Sequence, residues 1–284
     1  MDTKASLSAN NLKDRYQLFS ISIFHPVAQM INKILASLAI VGCHSAQAEF
    51  TCNDIRGVQS HRPLSTERGI VCFVKQPVLD KNNGNPVGID EISLYFIQNG
   101  QKPRKAEGRG LLYDESPGEI VDAFTMHINQ DNEDKIAIIQ SIEIRNSLVE
   151  PNSSGKFYSV SIFDQSGSTL RRNERISEWF GEGYSWLTNG NKTYKYPYTT
   201  RNPVQESTKS PFAPLMNQEV SIPASMKHKS HLYNGPNAQD ITNKYLINGD
   251  HVTVERKTGG WCQINYNGGK RPLNMWVTCD TLDP

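Results

Sequence analysis

Residues 245–266 read YLINGDHVTVERKTGGWCQINY. Two glycine-bearing turns, Asn248-Gly249-Asp250 and Gly259-Gly260, bracket a segment in which Val252 and Val254 alternate with His251 and Thr253. A side-chain period of two marks a half-buried strand. Gly249 suits a turn that needs a positive φ, and Asp250 can bond the backbone beside it. The next run continues the pattern, with Cys262, Ile264 and Tyr266 on one face and Trp261, Gln263 and Asn265 on the other. Further out lie Val220 and Ile222, then Leu232-Tyr233-Asn234-Gly235-Pro236, then Met275-Trp276-Val277 and Leu282. Short strands joined by tight turns are expected from Glu219 to the end of the chain.

The order of these pieces resembles the bacterial SH3 (SH3b-like) family. An aliphatic-Tyr strand with Pro soon after it, an aliphatic-x-Gly-Asp turn, Gly-Trp opening the next strand and Trp-Val near the end are all present in residues 219–284. The pair Cys262 and Cys279 departs from the pattern. The resemblance implies a small SH3-like β-barrel and a groove lined by aromatic rings that takes peptidoglycan, its peptides or a protein. Tyr233, Trp261, Tyr266 and Trp276 are the candidate binding residues. The competing reading places the rings in the barrel core, Trp276 above all and then Tyr266, and an exposed one would matter because aromatic side chains offer large contact area at small entropic cost.

Residues 49–198 alternate short apolar runs with turn residues, which predicts a β-rich domain, a sandwich or an open barrel. Strands are expected at 70–75, 92–98, 110–113, 120–128, 135–144 and 157–163, with a turn in KNNGNP at 81–86. Ile176, Trp179 and Phe180 recur at helical spacing inside 167–183 and predict one short helix with its rings under the sheet. Residues 199–218 contain three prolines and no periodicity, and are read as an inter-domain linker, so that 219–284 is expected to fold on its own.

The run INKILASLAIV at 31–41 is too short to cross a hydrocarbon core and leads to Ala46-Gln47-Ala48, the small-x-small pattern of a signal peptidase site. Residues 1–48 are read as a secretory signal, with Met30 as the natural start and Glu49 as the first mature residue. Ile40-Val41-Gly42-Cys43 also fits a lipobox, in which case Cys43 would carry lipid and tether the protein to a membrane. Soluble export to the periplasm is the favoured expectation. The remaining cysteines, Cys52, Cys72, Cys262 and Cys279, suit two disulfides in an oxidising compartment, and proximity favours Cys52–Cys72 and Cys262–Cys279.

The chain carries a net charge of +1, and removing 1–48, with four basic and two acidic residues, leaves −1. Nothing in that balance attracts nucleic acid. Of seven histidines, His25 and His44 lie in the leader, His61, His127 and His251 stand alone, and His228 and His231 lack a third ligand. No nucleophile, phosphate-loop or zinc-peptidase motif is present, and the carboxylate pairs Asp114/Glu115 and Glu178/Glu182 read as solvated. The reading is an exported binding protein with no cofactor or metal, whose partner is cell wall or a protein. Two alternatives stand beside it: a periplasmic immunity protein against a toxin effector, and a cell-wall hydrolase with a catalytic N-terminal domain.

Overall fold

The computed structural model describes residues 49–128, 133–144, 152–268 and 271–284. The expected signal segment and Cys43 lie outside them. The protein is mainly β, and its strands fall into curled sheets.

The first sheet runs in the order of its strands: β1 Val58–Thr66, β2 Gly69–Leu79, β3 Pro86–Gln98 and β4 Arg104–Lys105. A second is built from β5 Glu119–Met126, β6 Lys135–Glu143, β7 Lys156–Ser166 and β8 Thr169–Arg172, with β9 Glu182–Tyr184 pairing to β7. Between β8 and β9 lies helix α1, Glu174–Phe180. A small hairpin follows, β10 Leu187–Asn189 and β11 Lys192–Tyr194, then helix α2, Arg201–Ser207. The third sheet contains β12 Ile222–Met226, β13 Ser230–Tyr233, β14 Ile241–Leu246, β15 His251–Thr258, β16 Trp261–Tyr266, β17 Leu273–Thr278 and β18 Leu282–Asp283. Its order is β14-β13-β17-β16-β15-β12-β18.

The middle strand β6 organises the molecule because both of its faces are buried from Lys135 to Ile142. Ile136 and Ile138 point toward the first sheet and meet Val71, Phe73, Leu94 and Phe96. Ala137 and Ile139, one residue out of phase, belong to a second cluster with Trp179 and Phe180 of α1 and with Val254, Cys262 and Ile264 of the third sheet. A strand with apolar residues on both faces is the expected solution where sheets and helices stack on either side. On the same side as Ile138, the Gln140 amide donates to the carbonyls of Leu112 and Pro117 (2.7 and 2.9 Å), and its oxygen accepts from Leu112 N. Residues 110–113 are therefore a loop and not the expected strand, since their main chain is satisfied by that side chain.

Helix α1 forms as its spacing predicts, with Ile176, Trp179 and Phe180 buried. Asn173 caps it by accepting from Ile176 N, and Gly181 ends it with φ of 60°. Gly181 is also a point of close approach: a Cβ there would stand 2.7 Å from Gly259 N in the β15–β16 turn.

The linker expected at 199–218 is replaced by packed structure. Helix α2 and a 3-10 turn at Ala213–Met216 place Val204, Phe212, Leu215 and Met216 in the cluster that also holds β6 and the third sheet. Arg201 forks onto Asp122 of β5 (2.8 and 2.7 Å) and lies over the Phe124 ring. The apolar residues of this segment are sparse and aperiodic, yet nearly every one is used.

Two disulfides, Cys52–Cys72 and Cys262–Cys279, join residues separated by 20 and 17 positions. Closures of that size restrict the unfolded chain by about 3 kcal/mol each. The first pins a 3-10 turn, Cys52–Asp54, over the outer face of the first sheet, where Ile55, Val74 and Ile97 form a small third cluster. In the second, the β16–β17 register sets Cys262 opposite Val277. Cys279 lies two residues beyond, where its N–H donates to Gly260 O, so the bridge runs diagonally across the strand ends. Disulfides belong to an oxidising, non-cytoplasmic compartment. No described helix is long and apolar enough to cross a membrane.

Candidate functional site

The β10–β11 hairpin turns at Gly190, whose φ of 58° suits the two-residue loop, and its tip is tied to the neighbouring sheet by Asn189 Nδ2 donating to Ala238 O at 2.7 Å. This brings Tyr194 onto the third sheet. Its ring stacks on Trp261 (centroids 5.5 Å apart, planes 18° apart), and its hydroxyl meets that of Tyr233 at 2.6 Å. Tyr233 in turn sits edge-on to Trp261 at 4.9 Å. Burial first, and the Tyr233 hydroxyl second, push the Tyr194 phenol well above its usual range. The outer face of Tyr194 carries the Lys192 ammonium, 5.1 Å from the ring centre.

Beside this aromatic stack opens a cleft of about 660 Å³. Tyr184, Tyr194 and Lys195 line one wall, Trp261 and the loop through Pro236 another, and Tyr196, Tyr198 and Lys257 form the floor. The floor is polar but internally satisfied. Tyr196 donates to Gly181 O at 2.8 Å, and Tyr198 lies near-parallel to Trp179 with centroids 6.0 Å apart. Lys257, on the β15 edge of the cleft, donates to Tyr198 Oη (2.6 Å) and Gly259 O (2.7 Å), with its ammonium 3.4 Å from the centre of the Trp179 ring. No carboxylate pairs with it among the described residues. Desolvation therefore pulls its pKa well below that of an ordinary lysine, and burial drives the Tyr196 and Tyr198 phenols upward.

These shifts set an expected dependence of stability on pH. The unfolded chain keeps the Lys257 proton up to the ordinary value of 10.5, whereas the folded chain releases it at lower pH. Stability therefore climbs as pH rises from the folded pKa toward that value, because the unfolded state binds more protons there. The three phenols act oppositely. They ionise near pH 10 when unfolded and later when folded, so stability falls above about pH 10. Urea midpoints measured across the alkaline range should rise and then fall. Lys257→Met should remove the rise and leave the fall; an unchanged profile in that variant would show that Lys257 is not the group responsible.

Of the four aromatic residues expected at a groove, Tyr233 and Trp261 meet, but only Trp261 lines the cleft. Trp261 is half-buried in the cleft wall, Tyr233 is buried behind it at 2 % exposure, and Trp276 is a core residue paired in register with Tyr233 and Gln263. Tyr266 faces a separate surface, where its hydroxyl reaches toward Asp250 at 3.5 Å. Residues 194–198, YKYPY, contribute rings that the groove expectation did not include: their alternation around Pro197 is a visible signal, but their partners Tyr233, Lys257 and Trp261 lie 39 to 67 residues further on. Elsewhere, Glu178 pairs with Arg256, and His231 Nδ1 lies 3.2 Å from Thr242 O. Among the described residues no three His, Cys, Asp or Glu side chains gather as metal ligands would.

Comparison with family models, with curated proteins and with solved structures finds no match to this chain.

Proposed function

We propose that the protein is a non-catalytic, exported envelope protein, and that its third sheet is an SH3-like module working jointly with the β9–β11 region to bind cell-wall material or a protein in the cleft beside Trp261. The carrying observation is the cleft itself: a concave, ring-lined space of about 660 Å³ whose floor groups are occupied with one another and with main-chain carbonyls. Such walls offer apolar contact area with a few polar handles, which is the composition of a binding pocket. Two disulfides support a periplasmic location for the mature chain.

The test uses residues 49–284 with purified sacculi and with envelope extract. Retention on either is expected. Lys195→Trp, which adds bulk from an exposed position on the cleft wall and removes no packed group, should lower retention at least tenfold while leaving the thermal melt unchanged. Unaltered binding in that variant would place the ligand elsewhere. A zone of clearing on a peptidoglycan gel would overturn the non-catalytic reading.

A further inference from the structure

Among the described residues, strand β14 is one of the two edges of the third sheet and has β13 as its single neighbour. It carries Ile241, Tyr245 and, just past its end, Ile247, which are 46 %, 50 % and 52 % exposed, and none of them lines the cleft. Exposed apolar residues in a row on an unpaired edge are what a second strand needs for main-chain pairing and side-chain contact. Cations outnumber acids around this edge. Residues 227–250 hold three lysines and two histidines against two acids, Asp240 just before β14 and Asp250, which accepts from Ile247 N at 2.8 Å. Lys229 lies over the Tyr245 ring at 4.0 Å, and His231 faces Tyr245 in register on the same side of the sheet. Lys244, the next residue along, is exposed and by strand alternation projects to the opposite side. Neither Lys229 nor Lys244 makes an ion pair among the described residues.

From this arrangement we infer that β14 is a docking edge for an extended, acidic segment of a partner protein, which adds as a strand outside β14. An incoming strand sends its side chains alternately to the two faces. Cations on both faces therefore select carboxylates at successive positions, while Ile241, Tyr245 and Ile247 supply apolar contact. The same lysines disfavour a second copy of this chain, whose β14 would bring like charges together.

The experiment titrates residues 49–284 with a labelled peptide of about ten residues in which pairs of adjacent glutamates, one carboxylate for each face, are separated by valine and threonine. Its counterpart with lysine for glutamate and a version N-methylated at every second residue serve as comparisons. The acidic peptide should bind at least tenfold more tightly than the lysine peptide, and N-methylation, which removes the main-chain donors, should cost tenfold or more. Lys229→Glu with Lys244→Glu should invert the preference, and Tyr245→Ser should weaken binding, both with an unchanged melt because these positions are exposed. Absence of binding, indifference to charge reversal, or equal binding of the N-methylated peptide would each overturn the inference. So would capture by anionic phospholipid vesicles without peptide binding, or self-association abolished by Tyr245→Ser. Lys195→Trp leaves this edge intact, so failure of the cleft reading and failure of this one are separable.

Discussion

Cut from the chain after Gln218, residues 219–284 are expected not to hold a stable fold. The third sheet shares its apolar cluster with Trp179, Phe180, Tyr196, Tyr198, Phe212, Leu215 and Met216, all of which such a fragment lacks. Each buried aromatic or aliphatic side chain of this kind is worth about 1.5 to 3 kcal/mol. A domain of this length seldom has more than about 3 to 5 kcal/mol in reserve. The loss exceeds that reserve, and the Cys262–Cys279 bridge, at about 3 kcal/mol, does not restore it. Lys257 would lose Trp179 and Tyr198, and Trp261 the covering ring of Tyr194. The measurement is the amide proton spectrum and thermal melt of the oxidised fragment. Dispersed resonances with a cooperative melt would show that the sheet stands alone, as the proline-rich composition of 199–218 suggested.

The second large effect is expected at Trp179, where replacement by alanine should destabilise the whole of residues 49–284 by about 3 to 5 kcal/mol. The side chain is 2 % exposed, packs edge-on against Phe180 and near-parallel to Tyr198, and donates its indole N–H to Phe212 O at 3.3 Å. It also faces the Lys257 ammonium, a contact that strengthens when water is excluded. Because Trp179 stands where α1, the 212–216 turn and β15 meet, its loss should be felt on both sides of the cluster at once. Urea unfolding followed by far-ultraviolet circular dichroism and by the fluorescence of the three remaining tryptophans should shift together as a single transition. Trp179→Phe, which keeps a ring over Tyr198, should recover a large part of the loss. Divergent transitions would mean that the two halves unfold independently.

Much of the architecture could be read locally. Strands β2, β3, β5, β6 and β7 announce themselves by apolar runs between turn clusters, and α1 by the spacing of Ile176, Trp179 and Phe180. Strand β1 was not read, because HRP at 61–63 interrupts its pattern and the pairing slips on either side of His61. The 199–218 segment misled for a related reason: isolated apolar residues among prolines pack well when a surface is already waiting for them. The cleft was the least legible part. Its rings come from 184–198 and from Trp261, its floor lysine from 257, and no local pattern joins these separated stretches of chain.

The double burial of β6 has a consequence for how the molecule assembles. Ile136–Ile142 reads IAIIQSI, without charge, proline or glycine, and β-branched at four of its seven positions. Such a segment pairs readily with copies of itself while it is uncovered. The first sheet precedes β6 in the chain and can shield Ile136 and Ile138 early, but the cover for Ala137 and Ile139 comes from residues 176–216 and the strands after them. During vectorial synthesis, which delivers the N-terminal part first, the second face therefore waits in water at least until Ile176 of α1, 37 residues beyond Ile139, has been delivered. Folding yield should thus be limited by aggregation at that stage, so that slowing delivery of residues 176–216 lowers recovery even though the finished protein is unchanged.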